Sequence, residues 1–306
     1  MKVVYFPHKG QNRLGEGGKW KNGLHWGADF MLDAFQRFAP EKIEIIPCYN
    51  LNWDNVKDAD IVWLHNVATT GITRTIFMGT TTPFKKWRNR PNRPKFIGGV
   101  RGFEGLRRSE KTLRYFDAIH TGTEDLKDEA IKHNSNVHVL FPGVDFDFFS
   151  PPVQPPGPPF TIGWCGDIRK KMKNIEIVET LDYPKILATK ENYIPHDRMP
   201  TDFFHKIHVF VHPSSHEGGN RTIIEAAACG LPIITTDTGT ASTIVTEKYI
   251  ISLEGDTVAE ISELLEEFKA DPELANRIGM ENRERAKVYD WGPITETWVK
   301  ILESVL

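Results

Sequence analysis

The chain has 306 residues, of which 40% are hydrophobic and 26% are charged, and its formal net charge is −3. These fractions are those of a soluble globular protein, and no stretch approaches the roughly 18 consecutive apolar residues of a membrane-spanning helix. The length exceeds one ordinary domain of about 100–200 residues, so we expect two domains. The short apolar run at the start lacks the features of a signal peptide, which predicts a cytoplasmic protein.

The first half of the sequence alternates short Val- and Ile-rich runs with longer amphipathic ones, which is typical of βαβ units around a mostly parallel sheet. A strand at Lys2–Phe6 leads into a glycine-rich loop at 10–23. Apolar residues at helical spacing then predict a helix over 24–38. Further strands are predicted at Glu44–Pro47, 61–65, Lys95–Val100, Ala118–Thr121 and 138–141.

A proline-rich segment separates the two halves of the chain. Residues 141–160 contain seven prolines and two glycines, which argue against helices and central strands there. We therefore expect an N-terminal Rossmann-like domain over 1–144, a linker over 145–159 and a C-terminal Rossmann-like domain over 160–306. The second domain is predicted to contain four strands and a helical tail, at 160–165, Lys185–Ala188, 208–212, 232–235 and from 256 onward, with a final helix over about 293–306.

The run from 209 to 239 combines a strand, a turn, a helix and another strand. An apolar strand ends at a proline, two glycines permit a tight turn, an asparagine is the candidate N-cap of a helix over 221–229, and a glycine is its candidate C-cap. These residues are Pro213, Gly218, Gly219, Asn220 and Gly230. Because such a unit presents free backbone amides and the positive end of a helix dipole, it predicts an anion site.

Three charged side chains belong to this unit. Arg221 lies in the first turn of the predicted helix, where the dipole disfavours a cation, so a nearby phosphate would explain it; a solvent-exposed arginine is the alternative. Glu225 lies on the same helix among small apolar residues and needs a polar partner, while Glu217 precedes the turn. Sugar or ribose hydroxyls would suit both carboxylates, and a structural ion pair is the alternative for each.

This run resembles the donor-site signature of retaining glycosyltransferases of the GT-B fold, in particular family 4, the glycosyl transferases group 1. The match consists of the Glu-x7-Glu pair inside SSHEGG and EAAACGLP. Two other segments resemble the family in the same order: the linker LFPGVDFDFFSPP at 140–152, and the strand and loop IGWCGDIRKKMKN at 162–174.

The resemblance implies an α/β protein in which two Rossmann-like domains face each other across a donor-binding cleft, with the C-terminal helix closing back toward the N-terminal domain. It also implies retaining transfer of a sugar from a nucleoside diphosphate sugar, a UDP-sugar first and a GDP-sugar as the alternative, with no cofactor and no metal. The residues it assigns to catalysis are Glu217, Arg169 and Lys173. Those it assigns to the donor are Glu225, Gly17, Gly18, Gly218, Gly219, Asn220, Arg221 and Thr222.

Within that set, the resemblance gives Glu225 to the ribose hydroxyls and Glu217 to the transferred sugar, with Arg169 and Lys173 on the diphosphate. The sequence departs from the family at three places. Gly166-Asp167 stands where the family has Gly-Arg, Thr243 occupies a position that is usually acidic, and the histidine expected after a middle strand of the first domain is missing from 98–101.

The first half of the chain is the basic one. Before and including Ser150 there are 22 Lys and Arg against 17 Asp and Glu, and the remaining residues have 16 against 24. In this fold the N-terminal domain recognises the acceptor, so a basic stretch with interleaved aromatic residues at 84–96 predicts an anionic acceptor. The acceptor-side candidates are His65, Lys85, Lys86, Trp87, Arg88, Arg90 and Arg101.

Two kinds of acceptor fit this charge. A lipid-linked or polysaccharide acceptor, with contact to an anionic membrane surface, is the first, and a hydroxylated base in nucleic acid, on which Trp87 or Phe84 would stack, is the second. A solvated basic loop is the third reading. A nucleotide-sugar epimerase and a binding module without transferase activity are the competing classes of protein, and no obligate protein partner is predicted.

Overall fold

A computed structural model describes residues 1–7, 27–49, 51–67, 83–141, 143–217 and 219–306. Gly17 and Gly18, in the glycine-rich loop predicted at 10–23, lie outside these residues, as does Gly218. The chain divides into two compact units. The first consists of Met1–Pro142 and Trp291–Leu306, and the second of Gly143–Asp290.

The first unit is built on a parallel sheet with strand order β2-β1-β3-β4-β5-β6. The strands are β1 Lys2–Phe6, β2 Glu44–Pro47, β3 Ile61–Leu64, β4 Lys95–Val100, β5 Ala118–Thr121 and β6 Val137–Val139. The helices that alternate with them are α1 Gly27–Phe38, α2 Trp53–Val56, α3 Pro83–Trp87, α4 Phe103–Leu113 and α5 Glu124–Ala130. All four residues of β3 are fully buried, which fits a central strand of a parallel sheet that is covered on both faces.

The second unit has a parallel sheet of its own, with strand order β11-β10-β9-β7-β8. The strands are β7 Ile162–Cys165, β8 Lys185–Ala188, β9 Val209–His212, β10 Ile233–Thr236 and β11 Ile250–Ile251. The helices are α6 Ile175–Thr180, α7 Met199–Asp202, α8 Arg221–Ala228, α9 Ala241–Ile244, α10 Thr257–Ala270 and α11 Pro272–Ala286. The predicted fold class, α/β with two parallel-sheet Rossmann-like units, is confirmed.

The last helix, α12 Trp291–Glu303, belongs to the first unit. Its Trp298 stacks on Phe35 of α1 with ring centroids 4.3 Å apart, and also lies 5.2 Å from Trp63 of β3. The apolar stripe on this helix therefore covers the first sheet. The sequence range predicted for the second domain had included this helix.

The first part of the proline-rich segment is packed against the second unit. Phe146 and Phe149 are both buried, and the guanidinium of Arg283 on α11 donates to their carbonyl oxygens over 3.1 and 3.0 Å. Residues 145–149 are thus part of the second unit's structure and not free chain.

The predicted strands agree closely with the structure, with the same limits at β1, β2, β4, β5 and β8 and shifts of one or two residues at β3, β6, β7, β9 and β10. The short strand β11 was not predicted. The helix predicted over 221–229 ends at Ala228. Among the helices of the described ranges, none is long and apolar enough to cross a bilayer.

Helix α8 ends in a Schellman motif. Gly230 adopts a φ of 73°, and the amides of Gly230 and Leu231 donate to Ala227 and Ala226 over 2.8 and 3.1 Å. Helix α11 packs directly on this turn: a Cβ atom on Gly279 would lie 2.0 Å from the carbonyl oxygen of Gly230. Only glycine at 279 allows this approach of two backbones.

We expect Gly279→Ala to lower the free energy of unfolding by about 1–3 kcal/mol, because the new methyl group would overlap a backbone oxygen that cannot move aside. Urea unfolding followed by tryptophan fluorescence measures this change. Gly292→Ala is the matched control, since a Cβ on this second helical glycine meets nothing within 4 Å. Equal stability of the two variants would contradict the close packing of α11 on the turn.

Candidate functional site

The loops that follow β7 and β9 meet at one edge of the second sheet. The two strands are paired, with Ile162 opposite Val209, so both loops leave from the carboxyl ends of neighbouring strands. In open α/β sheets, this edge is where ligands bind. The loop after β9 contains Glu217 and leads into α8, and the loop after β7 contains Arg169 and Lys173.

Glu217 is the centre of the first cluster in this region. Its Oε1 accepts hydrogen bonds from the Ser214 hydroxyl at 2.8 Å and from His212 Nε2 at 3.1 Å, and the Lys173 ammonium contacts the same oxygen. Only 12% of the Glu217 side chain is exposed. Burial by itself raises the pKa of this carboxyl, but His212 and Lys173 outweigh it and lower the pKa to about 2. Glu217 is therefore an ionised, oriented carboxylate.

The position of Lys173 follows from the next residue. Asn174 adopts the left-handed conformation, with a φ of 45°, and its side-chain amide donates to the Pro213 carbonyl over 2.8 Å. The amide of Ser215 donates to the Met172 carbonyl, also over 2.8 Å. These bonds tie residues 172–174 to the end of β9. The ammonium of Lys173 is thereby placed at Glu217.

Glu225 on α8 is the centre of the second cluster. It is 3% exposed, its Oε1 lies 3.0 Å from His196 Nε2, and Arg221 Nε lies 2.8 Å from the same oxygen. Burial raises the pKa of this carboxyl, but the Arg221 charge and the contact with His196 outweigh it, so the pKa lies below its ordinary value. The His196 ring is packed against Phe148 and Phe149, with centroids 6.3 and 5.2 Å away.

The start of α8 lies between the two clusters. Asn220 occupies the N-cap position and is buried, but its side chain forms no capping hydrogen bond. Its Oδ1 instead accepts from the Thr222 hydroxyl over 3.0 Å, and its Nδ2 is buried without an acceptor. Gly219, with a φ of 127°, makes the turn. The first-turn amides of the helix are left without a side-chain cap.

Arg169 does not join these clusters. Its guanidinium donates to both carboxylate oxygens of Asp167 over 2.9 and 3.0 Å, and Lys190 adds a third contact to Asp167 at 2.8 Å. Hydrogen bonds from Arg169 and Lys190 hold the pKa of Asp167 well below its usual range. Asp167, Arg169 and Lys190 are exposed or partly exposed, and together they carry one net positive charge. The arginine predicted for the diphosphate thus has its own charge compensated by Asp167.

The acceptor-side candidates separate into different surroundings in the first unit. His65 and Arg101 are neighbours, with Arg101 Nη2 3.4 Å from His65 Nδ1. Lys85, Lys86, Arg88 and Arg90 are exposed. Arg88 contacts the Arg114 carbonyl, and Arg90 lies over the Trp53 ring at 4.1 Å.

The proposed stacking of Trp87 on a nucleic-acid base is wrong. Trp87 is 6% exposed and lies in the core of the first unit, with its ring 6.2 Å from Phe96 and 5.8 Å from Trp53. A ring that fills the core cannot also stack on a base. The side chain of Phe84, the other aromatic candidate, lies outside the described side chains.

Two histidines and a serine were missed as members of the site. His212, His196 and Ser214 all touch one of the two glutamates, and none of them was among the predicted site residues. Ser214 and His212 stand just before Glu217 in the signature run, so proximity in sequence could have indicated them. His196 comes from a separate loop, and only tertiary structure brings it to Glu225.

The model of the family described as glycosyl transferases group 1 matches residues 191–285, which contain both glutamates. A capsular polysaccharide biosynthesis glycosyltransferase, CapM of Staphylococcus aureus, is 30% identical over 119 residues, or 37% of this chain and 31% of CapM. The chain thus spans about a third of that curated relative's length in the match.

Solved structures resemble the whole chain. Alr3699/HepE of Anabaena, in complex with UDP and glucose, has a TM-score of 0.66 at 12% identity, and the match covers 99% of this chain and 100% of that one. Sucrose-phosphate synthase of Thermosynechococcus elongatus has a TM-score of 0.68 at 11% identity, covering 99% and 98%. The fold is therefore that of the GT-B glycosyltransferases. Within it, residues 191–285 match the glycosyl transferases group 1 model, which agrees with the GT-B family recognised from the sequence.

The ionised state of Glu217 predicts a pH dependence of stability. Its folded pKa of about 2 lies below the ordinary 4.5, so its stabilising contribution is complete above pH 4.5 and is lost as pH falls toward 2. At pH 7 we expect the free energy of unfolding of Glu217→Gln to be lower than that of the natural chain. This difference should shrink by an amount on the order of 2–3 kcal/mol between pH 5 and 2.

Urea unfolding at a series of pH values measures that difference. Glu263→Gln is the control, because Glu263 is exposed on α10 and its substitution should leave the curve unchanged. A gap between Glu217→Gln and the natural chain that stays constant down to pH 2 would mean that Lys173 and His212 do not hold the carboxylate ionised.

Proposed function

We propose that this protein is a retaining, metal-independent glycosyltransferase that moves a sugar from a nucleoside diphosphate sugar to a hydroxyl acceptor. The observation that carries the proposal is the pair of buried, ionised carboxylates at Glu217 and Glu225, one on each side of an uncapped helix start. The match of residues 191–285 to glycosyl transferases group 1 supports the same activity.

A UDP-sugar is the proposed donor. HepE, which shares the fold, has been solved with UDP and glucose. The diphosphate would lie at the start of α8, where the first-turn amides have no side-chain cap and the helix dipole favours negative charge. Lys173 and Arg221 each contact a glutamate, and their side chains are 14% and 22% exposed, so phosphate oxygens can reach both cations.

Glu225 is the proposed ribose residue. A buried carboxylate accepts two hydrogen bonds from a vicinal diol, and the contacts with His196 and Arg221 keep it ionised for that purpose. His196, held against two phenylalanine rings, orients it. Glu217, with the Gly219 amide, would face the transferred sugar.

The proposed reaction breaks the bond between the anomeric carbon and the diphosphate and forms a bond from that carbon to the acceptor oxygen on the same face. Negative charge grows on the departing diphosphate, and Lys173, Arg221 and the helix amides are fixed positive groups aimed at it. The departing phosphate takes the proton from the acceptor hydroxyl, so no protein base is required. Arg169 contributes less than the sequence suggested, because Asp167 already pairs with it.

A glycan or lipid-linked acceptor is proposed in preference to nucleic acid. The basic stretch had suggested both, but Trp87 is part of the core, and Arg88 and Arg90 are engaged with an adjacent carbonyl and an indole ring. Lys85 and Lys86 are also exposed, and their charge fits an anionic glycan or membrane surface. CapM, the curated relative, is described as acting in capsular polysaccharide biosynthesis.

Incubation of the full chain with a panel of nucleotide sugars, read by mass spectrometry, tests the activity. Release of nucleoside diphosphate, by transfer or by slow hydrolysis of the donor, is the expected result. Conversion of the sugar with the nucleotide still attached would indicate an epimerase, and binding without turnover would indicate a binding module; either outcome overturns the proposal.

The two glutamates should separate binding from turnover. We expect Glu217→Ala to lower kcat by about 100-fold or more while UDP binding is largely kept, because the carboxylate serves the transferred sugar. Glu263→Ala, on the surface of α10, should change neither parameter.

For Glu225, calorimetric titration with UDP and with 2′,3′-dideoxy-UDP isolates the ribose contact. The natural chain should lose about tenfold or more in affinity for the dideoxy nucleotide, because two hydrogen bonds to a charged acceptor are removed. Glu225→Ala should bind the two nucleotides almost equally. A variant that still discriminates between them would show that another group holds the ribose.

A further inference from the structure

Arg101 is a guanidinium at the carboxyl edge of the first sheet. It directly follows β4, His65 directly follows β3, and Tyr5 lies near the end of β1, and these three strands are consecutive neighbours in the sheet. The three side chains converge: the Tyr5 hydroxyl lies 2.7 Å from His65 Nδ1, and Arg101 Nη2 lies 3.4 Å from the same nitrogen. Since a guanidinium only donates, His65 Nδ1 is the acceptor and Tyr5 is the second donor.

No described carboxylate pairs with Arg101. Its other close contact is Nη2 to the Met31 sulfur, at 2.7 Å, and a thioether is a weak acceptor. Its Nε is buried and has no hydrogen-bond partner in the part of the chain that the structure describes. Burial lowers the pKa of this arginine to about 10, in keeping with a half-buried cation that has no counterion among the described residues. Arg93 in the same unit has the counterion that Arg101 lacks among the described residues, since it forms two hydrogen bonds of 2.7 Å to the Asp117 carboxylate.

A histidine near Arg101 adds no positive charge. His120 of β5 is fully buried, and its Nε2 accepts from the Trp63 indole over 2.8 Å. Burial and the nearby Arg101 charge lower the pKa of His120 well below its ordinary value, so this ring is neutral. Gly99 makes the packing possible, because a Cβ there would lie 2.0 Å from the His65 carbonyl oxygen and 2.7 Å from His120 Nε2.

A half-buried charge that no described residue compensates is costly, and replacing such a group by an apolar residue is often neutral or stabilising. Its presence at the ligand-binding edge of a parallel sheet is accounted for if a ligand supplies the missing negative charge. The planar fork of an arginine matches two oxygens of one carboxylate or phosphate, which a lysine does not reproduce.

We propose that Arg101, assisted by the Tyr5 and His65 pair, binds an oxyanion, a carboxylate or a phosphate, that is carried by the acceptor substrate. The assignment to the acceptor rests on the proposed function, whereas the oxyanion site itself does not. Arg101 is on this view a specificity residue that selects acceptors with an anionic group near the receiving hydroxyl.

Direct binding of simple probes tests the site in the full chain. Glucuronate stands for a carboxylate sugar and glycerol 1-phosphate for a phosphate, and both are titrated at constant ionic strength while the Arg101 Nε–H resonance is followed by NMR. We expect a saturable shift with one of them. That probe should bind Arg101→Lys about tenfold or more weakly, because the fork is lost while the charge is kept.

Thermal unfolding distinguishes a ligand site from a structural arginine. Arg101→Met should unfold at the same or a higher Tm than the natural chain without ligand, and the bound probe should raise the Tm of the natural chain but not that of Arg101→Met. Arg107→Gln is the control, an exposed arginine on α4 of the same unit, and it should respond to the probe as the natural chain does.

Three outcomes overturn the proposal: no saturable shift with either probe, an equal response in Arg101→Met, or a marked loss of Tm in Arg101→Met, which would mean that the arginine is structural. Hydrolysis of the nucleotide sugar without acceptor keeps this test separate from the proposed function. If hydrolysis persists and no probe binds, only the oxyanion site is wrong. If a probe binds and no donor is hydrolysed, the proposed transferase activity is wrong instead.

Discussion

The contact between Lys173 and Glu217 joins the loops that follow two neighbouring strands, and the rest of the candidate site depends on it. A carboxylate that is 12% exposed needs compensation for the lost water, and Lys173, His212 and Ser214 provide it from three positions of the chain. Because all three act on one oxygen, they also orient the group. Loss of any one of them would disturb the ionisation and the geometry together.

Helix α8 connects this cluster to the rest of the second unit. Its C-terminal end is closed by the Gly230 turn and by Arg283, which contacts the Ala228 carbonyl, while its N-terminal end has no side-chain cap. Small buried residues at Ala226–Ala228 let the helix pack closely. The packed C-terminal end therefore holds the N-terminal end, which could meet a ligand, rigidly in place. The preorganisation that phosphate binding requires thus comes from packing some distance away.

The two units handle their cations in different ways. In the second, Lys173 and Arg221 contact buried glutamates, which keeps both cations in place without leaving a bare charge. In the first, Arg93 is paired with Asp117, Arg90 covers an indole, and Arg101 alone of these three lies half-buried against a sulfur and an imidazole. The charge count shows only that the first half of the chain is basic. Which cation could bind an anion depends on which of them has no counterion among the described residues.

Much of this protein follows from local sequence. Period and composition predicted the parallel strands with limits that match at β1, β2, β4, β5 and β8, since a strand buried on both faces is a short apolar run with clear ends. The signature run also placed Glu217 and Glu225 on one strand-turn-helix unit. Tertiary structure decided what depends on distant parts of the chain meeting: His196 at Glu225, Lys190 at Asp167, Trp87 in the core, and α12 on the first sheet. Local pattern specifies an element and its buried face, whereas the partner of a charge or a ring is set by packing between elements far apart in sequence.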